Sequence, residues 1–490
     1  MLLEMAASGF ADRPILGWRG EALTVGEVDD LAHGGAALLR DCGAEALLYL
    51  DVNGPAFPVA LFAAARAGVP FVPLNYRLGA AKLDALVARH PRALVLGAPG
   101  SPAGESAAVL SAAEWLARAR ERGSRPGVPP AAEPGPAVVI YTSGTTATPK
   151  GVLLSHENLM GYVFGSVEFA SADERDAALV SLPPYHIAAV ANALTNLYAG
   201  RRCVVLDQFT AADWLSTARD EHITQALVVP TMLARIVEHP DGASAPPALR
   251  SVAYGGAHMP QPVIERALRN WPGVDFVNAY GLTETSSTIA VLGPEDHRTA
   301  MASDAAAVRA RLGSVGKPVP SVQIEIRDTE GTGVAAGGTG RIWVRGEQVS
   351  GRYAGAVSGL DADGWFDTRD DGYLDGEGYL FVVGRADDTI IRGGENIAPA
   401  EIEDVLRAFD GIDDAVAVGV PDPEWGEHIE AVVVAAAGRR VDPDAVLAFA
   451  RARLRGSRTP DRLVVWERIP RTETGKILRR EVVERLADEL

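Results

Sequence analysis

From Val25 to about Gly281 the sequence keeps switching its hydrophobic period. Helical spacing (Val25 to Leu39, Pro58 to Ala67, Ala80 to Arg89) alternates with short apolar runs such as ALLYL at 46–50 and RALVLG at 92–97. RRCVVLD (201–207), ITQALVVP (223–230) and LRSVAYGG (249–256) continue the series. Strands separated by helices build parallel sheets, because a parallel crossover needs a covering helix. A Pro/Gly-rich loop at 123–136 interrupts the pattern just before a buried strand, Ala137 to Tyr141. From about Leu312 to Val383 the signal becomes short strands with turn residues (VQIEIRD, TGRIWVRG, GYLFVVG), as in a small β-barrel. After Gly384 helix and strand patterns mix in a compact unit. The expectation is an α/β chain: a large N-terminal domain, 1–384, of α/β sheet subdomains plus a small β-barrel at about 312–383, and a small α+β C-terminal domain.

Composition narrows the function. With 46 basic against 64 acidic residues the formal net charge is −18, which repels nucleic-acid backbones and anionic membranes. Two cysteines, Cys42 and Cys203, are too few and too far apart for a disulfide scaffold or a thiolate zinc site. No run of eighteen apolar residues occurs, and MLLEMAASGFADRP lacks a basic segment leading into an apolar one. A soluble cytoplasmic protein is expected. Of the 46 cations only four are lysine: Lys82, Lys150, Lys317 and Lys476. Where arginine is the default cation, a lysine marks a place that suits a compact ammonium on a flexible stem. Lys150 and Lys476 both lie in Gly/Thr-rich segments.

The segment Tyr141-Thr-Ser-Gly-Thr-Thr-Ala-Thr-Pro-Lys150-Gly151 runs straight off the buried strand. Hydroxyls, backbone N–H groups and one ammonium make a cradle for a polyanion. It does not fit the G-x-x-x-x-G-K-[ST] phosphate loop. The loop resembles that of the AMP-forming adenylating superfamily of acyl-CoA synthetases, adenylation domains and luciferases. Further segments carry the resemblance in order along essentially the whole chain. They are Leu182-Pro-Pro-Tyr-His186, Tyr254-Gly-Gly-Ala257, Tyr280-Gly-Leu-Thr-Glu284 and Gly364-Trp-Phe-Asp-Thr-Arg-Asp370, followed by Gly384-Arg385-Ala-Asp387, Arg392-Gly-Gly-Glu-Asn-Ile-Ala-Pro-Ala-Glu401 and Pro470-Arg-Thr-Glu-Thr-Gly-Lys476.

The resemblance implies ATP-dependent conversion of a carboxylic acid to acyl-AMP, then transfer to a thiol, with ATP, Mg²⁺ and coenzyme A as cofactors. It assigns Thr142, Ser143, Gly144, Thr145, Thr146 and Lys150 to the phosphates, and Gly255, Gly256, Ala257 and Tyr280 to the adenine side. Asp370 and Arg385 go to the ribose, Thr283 to the α-phosphate, Glu284 to Mg²⁺, and His186 to the acyl site. Lys476 bridges the carboxylate and the α-phosphate. A hinge at 385–387, with Asp387 as pivot, lets a mobile domain, 388–490, bring Gly393 and Gly394 to the pantetheine. Arg455, Arg458, Arg479 and Arg480 could meet the CoA phosphates. Two positions depart from the family pattern, since Ala147 and Arg369 stand where glycine is usual. The acceptor is expected to be CoA, with a carrier-protein thiol or an amine as the alternative and an inactive nucleotide-binding homologue as a further one. The small residues of Ile187–Asn192 and Thr285–Ile289 suggest a fatty or aryl acid. No nucleic-acid partner or integral membrane association is expected.

Overall fold

The computed structural model describes residues 1–98, 100–102, 108–123, 135–142, 149–356, 358–385, 388–392, 395–422, 425–472 and 475–489. Two large sheets carry the first part of the chain. One has six strands in the order Ala108–Leu110, Ala93–Gly97, Ala46–Leu50, Phe71–Pro73, Val138–Thr142, Lys150–Leu154. All neighbours are parallel except the last pair, which runs antiparallel and sets Thr142 opposite Lys150. The apolar runs read from sequence are buried along their whole length, as in Ala46–Leu50 and Ala93–Gly97, because a parallel strand is covered on both faces.

The second sheet has nine strands. Its parallel centre runs Asp275–Leu282, Ser251–Gly255, Gln225–Val228, Ala177–Val180, Arg202–Val205, Pro14–Trp18. Helices Val25–Asp41, Ala56–Ala67 and Ile187–Ala199 share one apolar core with strands of both sheets, so the two sheets form one body. The Val25–Asp41 helix starts where the sequence signals it, at a capping box of Thr24 and Glu27.

The stretch read as barrel-like forms four antiparallel strands, Val322–Arg327, Gly340–Gly346, Phe366–Leu374 and Leu380–Arg385, in sequential order. Among the described residues its first and last strands do not pair with each other; Leu380 instead exchanges hydrogen bonds with Val315 and Gly316 beside the nine-stranded sheet. The ladder's apolar face packs on Ile289 and Ala290 of the nine-stranded sheet, so that sheet supplies the cover that closure would otherwise provide.

Past Arg385 a last sheet pairs Ile412–Asp422 with Gly426–Ala435 and, parallel to the latter, Arg462–Trp466. Alternate residues of Ile412–Asp422 serve two cores. Ala415 and Ala417 face Ile402, Leu406 and Val446, whereas Val416 and Val418 face Val482 and Leu486. Helices Pro399–Arg407 and Pro443–Arg451 supply the first of these cores and Arg479–Asp488 the second. Among the described residues, no helix is long and apolar enough to cross a membrane.

Candidate active site

A cavity of about 1400 Å³ opens where the central parallel strands of the nine-stranded sheet end, and it extends to the last sheet. Carboxyl ends of parallel strands are the usual ligand position in such sheets. Thr142, Lys150, His186, Gly255, Gly256 and Ala257 line it, as do Tyr280, Thr283, Glu284, Asp370, Arg385 and Lys476. The sequence-predicted residues Ser143, Gly144, Thr145, Thr146, Gly393 and Gly394 lie outside the described residues, as do Ala147 and Asp387, the expected hinge position.

Strand Ser251–Gly255 ends against its neighbour so closely that a Cβ on Gly255 would stand 2.2 Å from the Ala279 carbonyl oxygen. Only glycine fits there. Strand Asp275–Leu282 runs into the single turn Thr283–Thr285, which delivers Thr283 and Glu284 to the cavity. The turn is pinned from a distance. Gln348, 1% exposed, donates to the carbonyls of Thr285 (2.9 Å) and Thr288 (2.8 Å), while Ser286 Oγ donates to the Gln348 carbonyl (2.8 Å). Tyr353 donates its hydroxyl to Glu284 Oε1 at 3.0 Å. No sequence spacing signals Gln348 or Tyr353, since both act across more than sixty residues.

Asp370 sits on strand Phe366–Leu374, 5% exposed. Tyr280 donates to its Oδ2 at 2.6 Å and Arg385 Nε to its Oδ1 at 3.0 Å. Thr368 Oγ1 accepts from the Asp370 amide at 3.1 Å and donates to the Ile342 carbonyl at 2.7 Å. Burial pushes the Asp370 carboxyl up, against the pull of Arg385, the Tyr280 hydroxyl and Lys476. Each carboxylate oxygen has a second lone-pair direction, so two protein donors leave room for ligand hydroxyls. Arg369, where glycine is usual, adopts φ 60°. That left-handed conformation costs a non-glycine residue about 1 kcal/mol. It keeps the strand's course, and Asp370 retains both of its partners.

Lys476 comes from the far end of the chain. Its hairpin is tied by Thr472, whose amide donates to the Lys476 carbonyl (2.7 Å) and whose Oγ1 accepts from the Lys476 amide (3.0 Å). Arg471 fixes the hairpin to Asp414 with two donors, Nη2 at 2.8 Å and Nε at 3.1 Å. Gly475 takes φ 81° and comes so close to Thr231 that a Cβ would stand 2.6 Å from the threonine methyl. The Lys476 ammonium makes no ion pair with the described residues. Burial lowers its pKa, the Arg385 charge adds to this, and Asp388 and Asp370 oppose it. It is a partly desolvated cation beside the Asp370–Arg385 pair, a position that an incoming anion would satisfy.

His186 takes the N-cap position of Ile187–Ala199, its ring 4.7 Å from that of Tyr185. Lys150 stands exposed at the strand start opposite Thr142. Of the arginines considered for CoA, Arg479 is committed elsewhere. It donates to buried Glu403 at 2.6 Å and to the Ala417 carbonyl at 2.6 Å, so it braces the C-terminal core. Arg458 pairs with Glu401, and Arg480 with Glu484.

Residues 3–354 match the AMP-binding enzyme family and residues 401–476 match the AMP-binding enzyme C-terminal domain. A feruloyl-CoA synthase from Amycolatopsis sp is 37% identical over 478 residues, covering 94% of each chain. The fatty acid–[acyl-carrier-protein] ligase ScoC of Streptomyces coeruleorubidus is 33% identical over 463 residues, covering 89% of this chain and 86% of that one. The solved structure of o-succinylbenzoate CoA synthetase from Bacillus subtilis, in complex with its acyl-adenylate intermediate, superimposes with a TM-score of 0.84 at 27% identity, covering 98% of this chain and 97% of that chain. With its strand-end cavity, its Asp370–Arg385 pair and its C-terminal lysine, the chain belongs to the AMP-binding enzyme family, the AMP-forming adenylating enzymes.

Proposed function

We propose a division of labour for an acyl-CoA synthetase: the chain activates a carboxylic acid with ATP to acyl-AMP, releasing pyrophosphate, and passes the acyl group to coenzyme A. The observation that carries it is the Lys476 ammonium, without an ion pair among the described residues, held beside Asp370 and Arg385 in the cavity. In the first step a carboxylate oxygen attacks the α-phosphorus and pyrophosphate leaves. Two unit anions ~4 Å apart repel by about 4 kcal/mol at an effective dielectric of 20, and Lys476 offsets that charge. Lys150 with Thr142 and the loop of Ser143 to Thr146 holds the outer phosphates. Thr283 donates to the α-phosphate, and Gly255, Gly256, Ala257 and Tyr280 frame the adenine. Asp370, with Arg385, accepts from the ribose hydroxyls, and His186 borders the acyl group.

The donor set fits Mg²⁺. Among the described residues no three potential ligands cluster, and Glu284 has one oxygen bound to Tyr353 and the other without a protein partner. Magnesium takes one or two carboxylates plus phosphate oxygens, so Glu284 and the bound phosphates would hold it and the ion would neutralise phosphate charge.

In the second step the thiol attacks the acyl carbon and AMP leaves. We assign the boundary to 385–387, with 388–490 turning about it to withdraw Lys476 and present Gly393 and Gly394. Contacts such as His258 with Asp404 at 3.6 Å belong to the first arrangement. Both cysteines are free, in keeping with a reducing, cytoplasmic setting.

The likeness to ScoC keeps a carrier-protein thiol as a second reading. AMP release measured with coenzyme A, with a phosphopantetheinylated carrier protein and with hydroxylamine decides the acceptor. Coenzyme A is expected to accelerate release well above either other acceptor. Faster release with the carrier protein would assign the chain to the second reading.

A further inference from the structure

The cavity continues past His186 as a channel along one face of the helix Ile187–Ala199, formed by Ala188, Ala191, Asn192 and Thr195, with strand Gln225–Val228 also lining it. These helix positions recur at three- and four-residue intervals, so they share a face. The lining here is not all apolar. Arg201, Asn196 and Asn192 line the cavity too.

Their hydrogen bonds have a fixed direction. A guanidinium has donors only. Arg201 Nη1 donates to Asn196 Oδ1 at 2.8 Å, and this settles which end of the Asn196 amide is oxygen. Asn196, 5% exposed, therefore presents its nitrogen to Asn192, donating to the Asn192 carbonyl at 2.9 Å and to Asn192 Oδ1. With its oxygen engaged there, Asn192 turns its own Nδ2 away, and that donor has no acceptor among the described residues. Arg201 is held in turn by its main chain, which donates to the Asn196 carbonyl at 2.8 Å, and its Nε is buried without a partner. The relay leaves the Nδ2 of Asn192, a residue of the cavity lining, as an uncommitted donor among the described residues. Asn192 lies six residues beyond His186, about 9 Å along the helix at 1.5 Å per residue.

We infer that Asn192, oriented by Asn196 and Arg201, is a specificity residue that selects an acid bearing a hydrogen-bond-accepting oxygen remote from its carboxylate rather than a plain alkyl acid. The inference rests on the acyl-CoA synthetase reading. An alkyl or methyl group beside Asn192 leaves a desolvated donor unmade, whereas an ether or phenol oxygen accepts it.

Acid-dependent pyrophosphate release with three probes of similar shape tests this: 4-methoxycinnamate, 4-hydroxycinnamate and 4-methylcinnamate, with decanoate beside them. The wild-type chain is expected to favour 4-methoxy- over 4-methylcinnamate by roughly tenfold or more in kcat/KM. Asn192→Leu is expected to bring that ratio near one while still turning over 4-methylcinnamate. Asn192→Asp keeps the bond from Asn196 but shows the channel an acceptor, so preference is expected to move from the methoxy to the hydroxy acid. A wild-type ratio near one, a ratio that survives Asn192→Leu, or turnover of decanoate alone overturns the inference and leaves acyl activation standing. Failure of every acid to release pyrophosphate contradicts the acyl-activation reading itself.

Discussion

Lys476→Ala is expected to lower acyl-AMP formation by roughly three orders of magnitude while leaving thioester formation from supplied acyl-AMP largely intact. The size follows from the charge removed. At ~4 Å and an effective dielectric of 20 a unit charge is worth about 4 kcal/mol, close to a thousandfold in rate. The selectivity follows from timing, because in the proposed cycle the lysine serves the phosphorus centre and has no role once pyrophosphate has gone. Folding gives a control. The Lys476 ammonium is disfavoured by burial and makes no ion pair among the described residues, so its removal should not lower the melting temperature. Equal loss of both half-reactions with a lowered melting temperature would make Lys476 a structural residue.

Asp370→Asn is expected to raise KM for ATP roughly tenfold to a hundredfold with a small change in melting temperature. Asparagine keeps the volume and can still accept from Arg385, so strand Phe366–Leu374 and its Thr368 anchor stay in place. It has one acceptor oxygen where aspartate has two, and no charge. Hydrogen bonds to a charged acceptor contribute about 1.5–3 kcal/mol, which sets the range. Calorimetric titration with AMP should show the same loss, because the ribose is common to both nucleotides. An unchanged KM for ATP would remove Asp370 from the nucleotide site.

What the sequence disclosed and what it hid follow from range. The strand Val138–Thr142, the turn at Gly255 and the hairpin of Lys476 are local events, written in adjacent residues, and each contributes to the cavity lining. The scarcity of lysine was informative: Lys150 and Lys476 line the cavity, whereas Lys82 is exposed on a helix and Lys317 lies over the ring of Tyr379. Long-range pairing was not legible. Strand Pro14–Trp18 joins the nine-stranded sheet beside Arg202–Val205, almost two hundred residues away, and no local period announces it. Gln348 and Tyr353 were missed for the same reason, since each acts on the Thr283–Glu284 turn across a distance set by folding alone. Arg479 shows the converse. A cation beside a helix start looks available for a phosphate until the fold reveals Glu403 buried against it. Arg369 illustrates tolerance: φ 60° meets the backbone requirement usually met by glycine, and Asp370 keeps its place.

This cavity is expected to join a carboxylate to AMP before any thiol takes part. Isotope exchange between pyrophosphate and ATP, measured without coenzyme A and with or without a carboxylic acid from the cinnamate series, tests it most directly. Exchange that requires the acid, needs no coenzyme A and disappears in Lys476→Ala is the predicted result. Exchange independent of acid, or absent until coenzyme A is added, would contradict it.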